Sequence, residues 1–294
     1  MSSDEKPSAA ATAALTLVAL IAFAANSVLC RLALGGGAID AAGFTAVRLA
    51  SGGLVLAVVL ALRPRRGEAR TRGGWAGAAF LFAYAAAFSF AYITLDTGTG
   101  ALVLFGAVQI TMILASLLAG AKLHPSEWLG VLLACGGFVY LVLPGVSAPP
   151  LGGFLLMAAA GAAWGAYTLK GRGSFDPLGD TAFNFARTVP LAAVLAAAAL
   201  VFGAIHVSLT GLLLAAVSGG LTSGLGYSVW YTALRGLSAT QAAVVQLAVP
   251  LIAASGGVLF VGEAPGMRLV LATALILGGI LTVILGRACY RKSA

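Results

Sequence analysis

From residue 12 to residue 288 the chain is a succession of apolar runs, each about as long as a bilayer is thick, broken by short turn-prone connections. The runs fall at 12–34, 42–62, 75–95, 99–121, 126–143, 151–170, 179–203, 209–234, 239–262 and 266–288. A helix needs about 20 consecutive apolar residues to cross the hydrocarbon, where every backbone N–H and C=O must be paired within the segment. Ten such helices take roughly 200 residues, and the 294 present leave only short loops and tails. The separators carry helix-breaking residues: Gly35-Gly36-Gly37, Gly98-Thr99-Gly100, Pro144-Gly145, Pro149-Pro150 and Asp176-Pro177. Composition agrees, with 61% hydrophobic and 9% charged residues against roughly 45–50% and ~25% in soluble domains. A soluble enzyme, a disordered chain and a disulfide framework are excluded. The expectation is an all-α polytopic membrane protein. Ala22-Phe23-Ala24 imitates a signal-peptidase site, but Asp4 and Glu5 offset Lys6 before it and the apolar run continues beyond. The first run is therefore read as a retained helix.

The net charge of +8 does not indicate nucleic acid, because the basic residues alternate between connections. Arg63, Arg65, Arg66, Arg70 and Arg72 crowd the second one. With that loop cytoplasmic, alternation also places Lys6, Lys122, Lys170, Arg172, Arg235, Arg287, Arg291 and Lys292 inside. Asp40, Asp96 and Glu263 fall outside, with Arg31 and Arg268 near the helix ends. Both termini are expected in the cytoplasm. Cys30, Cys135 and Cys289 have neither CxxC spacing nor an even count, and read as small packing residues.

The chain repeats itself. Arg31 and Lys170, and Arg48 and Arg187, are separated by the same 139 positions (170 − 31 and 187 − 48). Phe44 and Phe183, Tyr92 and Tyr231, and Leu95 and Leu234 share that offset. After a shift of three residues, Gly120 matches Gly262 and Gly136-Gly137 matches Gly278-Gly279. Five helices thus recur as five more, and an odd number of spans inverts the second copy. Such inverted repeats suit secondary transporters, because two similar halves rocking about one site give two equivalent open states. The expected organisation is a tail at 1–11, a first five-helix repeat at 12–143, a linker at 144–150, a second repeat at 151–288 and a tail at 289–294.

Leu95–Val142 and Leu237–Val283 carry a recurrent pattern: small residues opening a helix, a polar or proline mid-helix position, a Gly-Glu turn, then a Trp-Leu-Gly helix with a late Gly-Gly. The second copy keeps Pro250 and Gly262-Glu263; the first keeps Trp128-Leu129-Gly130 but departs at Val108 and Ala121. Both resemble the EamA repeat of the drug/metabolite transporter superfamily. The resemblance implies ten helices around a central cavity and export of metabolites across the bacterial inner membrane. Within that family the chain is most similar to the YddG-type aromatic amino-acid exporters, through Asn26-Ser27-Val28-Leu29-Cys30-Arg31 and the aromatic third, sixth and eighth helices.

Candidate substrate-binding residues are those whose chemistry is out of place in lipid. Phe80, Tyr84, Phe88 and Tyr92 lie at helical spacing on one face. Trp164 and Tyr167 in the sixth run, and Tyr227, Trp230 and Tyr231 in the eighth, extend the aromatic set. Tyr84, Trp164 and Tyr227 fall mid-span, where a hydroxyl or indole N–H requires a partner. Such rings suit apolar side chains and hold ammonium groups by cation–π attraction. Asn26, Ser27, Gln109, Asn184, Thr222, Ser223, Ser228 and Gln246 are mid-helix polar residues, equally suited to orienting a substrate or to tying helices together. Pro190 and Pro250 free carbonyls inside helices and are candidate hinges. Arg48 and Arg187, about two turns from opposite faces, must face the interior or snorkel outward, and are candidates for a gate or for binding a substrate carboxylate.

All nine carboxylates fall in tails, loops or helix ends. With no embedded acid to relay protons, the reading is a uniporter rather than a proton antiporter. No GxxxxGK[ST] loop supplies ATP, and His124 and His206 assemble no metal site, so no cofactor is expected. Small-xxx-small pairs, Gly161/Gly165 and Gly220/Gly224, allow close helix approach. The leading reading is an amino-acid exporter working by alternating access within the lipid bilayer. Another metabolite, drug, lipid or nucleotide sugar on the same fold is the alternative, with proton-coupled antiport beside it. An intramembrane protease using Ser223 and His206 is remote, since no GxSxG surrounds the serine. Oligomeric state is open. A reporter fused to the C-terminus is expected to read cytoplasmic, and a periplasmic readout would overturn the ten-span reading.

Overall fold

The computed structural model describes residues 8–63, 72–120, 125–143, 145, 148–171, 174–203, 205–237 and 239–293. Asp4, Glu5, Lys6, Arg65, Arg66, Arg70, Ala121, Lys122, His124, Pro144 and Arg172 lie outside the described residues, as do the side chains of Arg287, Cys289, Arg291 and Lys292. The described residues form helices α1 Ala9–Gly35, α2 Ala41–Leu62, α3 Trp75–Ala91, α4 Thr97–Leu118, α5 Pro125–Val142, α6 Leu151–Gly171 and α7 Pro177–Val201. They continue with α8 Leu209–Leu234, α9 from residue 239 to 261, and α10 Met267–Ser293. Eight of these are long and apolar enough to cross a membrane, while Trp75–Ala91 and Glu127–Val142 are apolar but shorter.

Helix starts follow from capping. Asp40 Oδ1 accepts from Gly43 N at 2.8 Å, Ser208 Oγ accepts from Gly211 N at 3.1 Å, and Asp176 precedes Pro177 at the first turn of α7. Helix α3 stops at Ala91, short of its apolar run, because residues 92–95 fold into a tight turn: Ile93 N–H bonds Phe90 O and Leu95 N–H bonds Ala91 O.

Two helices depart from regular geometry, which hydropathy alone does not foretell. In α8, Ser218–Leu225 winds as a π-helix between α-helical Leu209–Val217 and Gly226–Leu234. Gly219 in this stretch lies so close to α2 that a Cβ would strike Arg48 O and Ser51 Oγ, while a Cβ on Gly52 would stand 3.0 Å from Gly219 O. In α9 the α-helix breaks at Leu247, between Ala239–Gln246 and Ala248–Gly256. Pro250 offers no N–H to the Gln246 carbonyl, and Leu247 N–H turns back to Val244 O at 3.1 Å. Helix α7, by contrast, runs unbroken through Pro190, which is exposed on its outer face.

The helices pack as α1 with α8 and α9, α6 with α3 and α4, α2 with α7 and α8, α3 with α7, α4 with α9, and α5 with α10. Glycines set the closest of these. Gly130 and Gly279 bring α5 and α10 backbone to backbone, Gly161 and Gly165 seat α6 on Leu104 O and Thr111 of α4, and Gly220 and Gly224 face Val55 of α2. Leu54, Leu118, Leu132, Val194, Leu209 and Leu259 are among the large apolar side chains left on the outer surface, a surface suited to lipid.

Substituting Gly219→Ala forces backbone apart and is expected to cost about 1–3 kcal/mol. Gly278→Ala, where a Cβ meets nothing within 4 Å, serves as the control. Thermal denaturation of the purified protein distinguishes them; equal melting temperatures would contradict the close α2–α8 contact.

Candidate functional site

A cavity of about 650 Å³ lies among the helices. Its exposed lining residues, Arg72, Gly73, Lys170 and Gly171, belong to the ends of the α2–α3 and α6–α7 connections, which form its mouth. The opposite end is blind, floored by buried Ser27, Phe88, Leu104 and Phe105. Of the candidate substrate-binding residues, Asn26, Ser27, Tyr84, Gln109, Trp164, Tyr167, Tyr227 and Gln246 line this space, whereas Phe80, Tyr92 and Ser228 do not.

Trp164 is the hub of the aromatic wall. Its ring stacks on Tyr227 at 5.2 Å and 28°, and lies 4.9 Å from Tyr84 and 5.4 Å from Tyr167. Phe23 of α1 extends the wall, 5.9 Å from Tyr227 and 5.7 Å from Trp230. These rings come from α1, α3, α6 and α8, so the wall forms only when helices distant in sequence meet. The aromatic face predicted on α3 divides: Tyr84, Phe88 and Tyr92 are buried, whereas Phe80 is 38% exposed.

The polar residues divide by role. Asn26 Oδ1 accepts from Ser218 Oγ at 2.6 Å and Thr222 Oγ1 at 3.3 Å, tying α1 to the π-helical stretch. Asn184 Oδ1 accepts from Gly74 N at 2.9 Å near the mouth. Ser228 bonds back to Gly224 O at 3.1 Å and does not line the cavity. Ser223 lines it and His206 does not; the His206 backbone pairs with Asp40 instead. Sequence reasoning passed over Phe105, Met112 and Thr181, which also line the cavity. Phe105 and Met112 stand one turn to either side of Val108 and Gln109, a helical face that was available to read.

The two arginines occupy unlike surroundings. Arg48 is 2% exposed and lies behind the blind end. Its Nη2 donates to Tyr84 Oη at 2.9 Å, its Nε to Ser223 Oγ at 3.4 Å, and its guanidinium rests 4.8 Å from the Phe88 ring centroid. Arg187 is half-buried and donates to the carbonyls of Arg72, at 2.6 Å, and Phe183, at 3.1 Å, beside the mouth. Neither lines the cavity directly. Of the two prolines, Pro250 lies buried beyond the break in α9 and Pro190 faces outward.

Side chains from both halves of the chain close the blind end. Glu263 accepts from Thr97 N at 2.9 Å, so a carboxylate from the α9–α10 turn satisfies the N-terminus of α4. Gly262, with φ of 77°, makes that turn possible. Arg31 reaches Glu263 at 3.3 Å, Asp96 at 3.4 Å and the carbonyl of Tyr92 at 3.2 Å. A second tie joins the α1–α2 and α7–α8 connections, where Asp40 N–H bonds His206 O at 2.8 Å and Ser208 N–H bonds Ala38 O at 2.9 Å. At the mouth, Arg63 pairs with Asp176 at 2.5 Å and Gly73 N–H bonds Asp180 at 2.6 Å.

Glu263→Gln removes the charge that holds α4's first turn. Deuterium exchange at Thr97 is expected to quicken about tenfold, in line with the loss of a charge-assisted hydrogen bond. Unchanged exchange would contradict the capping role.

Residues 151–285 match the model of the EamA-like transporter family. An uncharacterized protein of Pseudomonas aeruginosa is 56% identical over 280 residues, covering 94% of this chain and 96% of that one. A solved crystal structure superposes with a TM-score of 0.61 at 22% identity, covering 91% of this chain and 97% of that one, a likeness of fold. The chain is a multi-pass membrane protein whose residues 151–285 carry an EamA-like transporter family domain.

Proposed function

We propose that this protein is a secondary transporter of the bacterial inner membrane that exports amino acids, aromatic and other apolar ones, by alternating access. The observation that carries the reading is the aromatic cavity, open at one end and blind at the other. Its volume, about 650 Å³, falls within the 300–1,000 Å³ of small-molecule sites. Trp164 and its three tyrosines suit a flat or branched apolar side chain, in keeping with a YddG-type substrate range.

Ten spans arranged as two inverted five-helix repeats, with both termini cytoplasmic, make the motion intelligible. Helix packing supports that arrangement, because exchanging each helix with the one five places on maps the most extensive pairings onto one another. The α1–α8 contact becomes α6–α3, α1–α9 becomes α6–α4, α2–α8 becomes α7–α3, and α2–α7, α4–α9 and α5–α10 return to themselves. With the arginine-rich connection cytoplasmic, the mouth faces inward and the Arg31–Glu263 network seals the outside. Pro250, three residues past the break in α9, serves as the hinge, while Pro190 supplies flexibility to α7. Since every carboxylate in the sequence falls in a tail, loop or helix end, the substrate gradient drives transport without a proton.

Proteoliposomes of purified protein, offered a panel of labelled amino acids with and without a pH gradient, test the reading. Saturable movement of aromatic amino acids, indifferent to pH, is expected. Trp164→Ala, which empties the hub of the aromatic wall, is expected to lower that flux at least tenfold, given the several kcal/mol that burying an aromatic ring contributes. No amino-acid movement would transfer the proposal to another metabolite, and dependence on the pH gradient would replace uniport by antiport.

A further inference from the structure

The blind end of the cavity holds hydrogen-bond donors without acceptors. Tyr84 Oη and Ser223 Oγ both accept from Arg48, at 2.9 and 3.4 Å, so each directs its own hydrogen elsewhere. Among the described residues neither hydrogen meets an acceptor. Ser223 differs in this from its neighbours in α8, since Thr222 donates back to Ser218 O at 2.6 Å and Ser228 to Gly224 O at 3.1 Å. Ser27 Oγ is buried and lines the same space, beside the Tyr92 hydroxyl. Behind them, Arg48 Nη1 is buried and unpartnered. An arginine keeps its charge in proteins, and among the described cavity-lining residues the one carboxylate is Asp180 at the mouth. Its oxygens are taken by Gly73 N at 2.6 Å and Ser174 Oγ at 2.5 Å. The Asn26 amide oxygen, which also lines the cavity, is occupied by Ser218 and Thr222.

We infer that the blind end binds the carboxylate of an amphiphilic organic acid, with the apolar body against Trp164 and Tyr227, and that an amino group is not needed for recognition. The inference deepens the proposed function and rests on its reading of this cavity as the transport site. One guanidinium acting through neutral hydroxyls matches a single negative charge, whereas a phosphate dianion calls for further cationic partners. Arg48 is a positioning residue here. Its charge polarises the Tyr84 and Ser223 hydroxyls toward the ligand and disfavours an ammonium in the same place.

Three probes with the same phenyl body separate the chemistry: hydrocinnamate, its neutral amide and phenethylamine. Calorimetric titration of the purified protein is expected to rank the acid above the amide and the amine last. Tyr84→Phe and Ser223→Ala each remove one donor and are expected to reduce the preference for acid over amide about tenfold. A packing role alone would weaken both probes together. Melting curves confirm that the variants are folded, and Ser223→Ala removes only a hydroxyl. The proposal is overturned if the amine binds as tightly as the acid, if the folded protein binds no acid, or if both variants keep the full preference. Phenylalanine flux in proteoliposomes separates this from the transport reading. Acid binding without phenylalanine movement removes amino-acid export and leaves the carboxylate site standing. Phenylalanine movement inhibited equally by acid and amine does the reverse.

Discussion

A guanidinium cannot be left in hydrocarbon. Placing one at mid-span costs roughly 2.5–3.5 kcal/mol on insertion scales, so Arg48 has to turn inward and find polar company. It finds Tyr84 on α3 and Ser223 on α8, with the Phe88 ring beneath it. That requirement draws three helices together at one depth. It also explains why Gly219 and Gly52 let α8 and α2 approach to backbone contact, and why α8 accepts a π-helical stretch there instead of a regular turn. The hydroxyls that solvate Arg48 are then left facing the cavity.

Under the proposed inverted repeat, the two arginines would express one arrangement in two states. Arg48 is sealed behind the blind end, while Arg187 holds the backbone beside the mouth. Tyr84 and Ser223, the hydroxyl partners of Arg48, are themselves separated by 139 positions (223 − 84). Under the proposed inversion they are each other's counterparts, so the same two hydroxyls stand ready for Arg187 when the opposite end closes. Phe88 beneath Arg48 likewise corresponds to Tyr227. Rocking would therefore exchange one arginine for the other at a common polar pair. Two packings of similar energy are what alternating access requires.

Much of this was legible in the sequence because lipid is an exacting solvent. Tyr84, Trp164, Tyr227, Asn26 and Gln109 stood out as polar or amphipathic groups in apolar runs, and burial against one another was the available solution. The charge map did not contain the pairings themselves: Arg31 joins Asp96 and Glu263 in one network, and Arg63 joins Asp176 in another. What escaped was local. Hydropathy does not distinguish an α-turn from a π-turn, so Ser218–Leu225 read as ordinary helix. Phe80 shares its helical face with Tyr84 but sits a turn nearer the helix start, beyond the reach of the aromatic wall. Glu263 read as part of a family motif, yet its work, capping α4 across the molecule, depends on a long-range contact that spacing does not contain. Pro190 and Pro250 looked alike in sequence, and only tertiary packing tells an exposed proline in a continuous helix from a buried one beyond a break.

Alternating access requires the two ends of the cavity to open in turn. It is tested most directly by spin-label distances in a lipid bilayer, using one pair at Ile93 and Val207 beside the blind end and another at Lys170 and Arg235 beside the mouth, with the native cysteines replaced. Addition of a transported substrate should lengthen the first distance and shorten the second, populating a state that mirrors the present one. Distances that stay fixed, or that change in the same sense at both ends, would contradict alternating access.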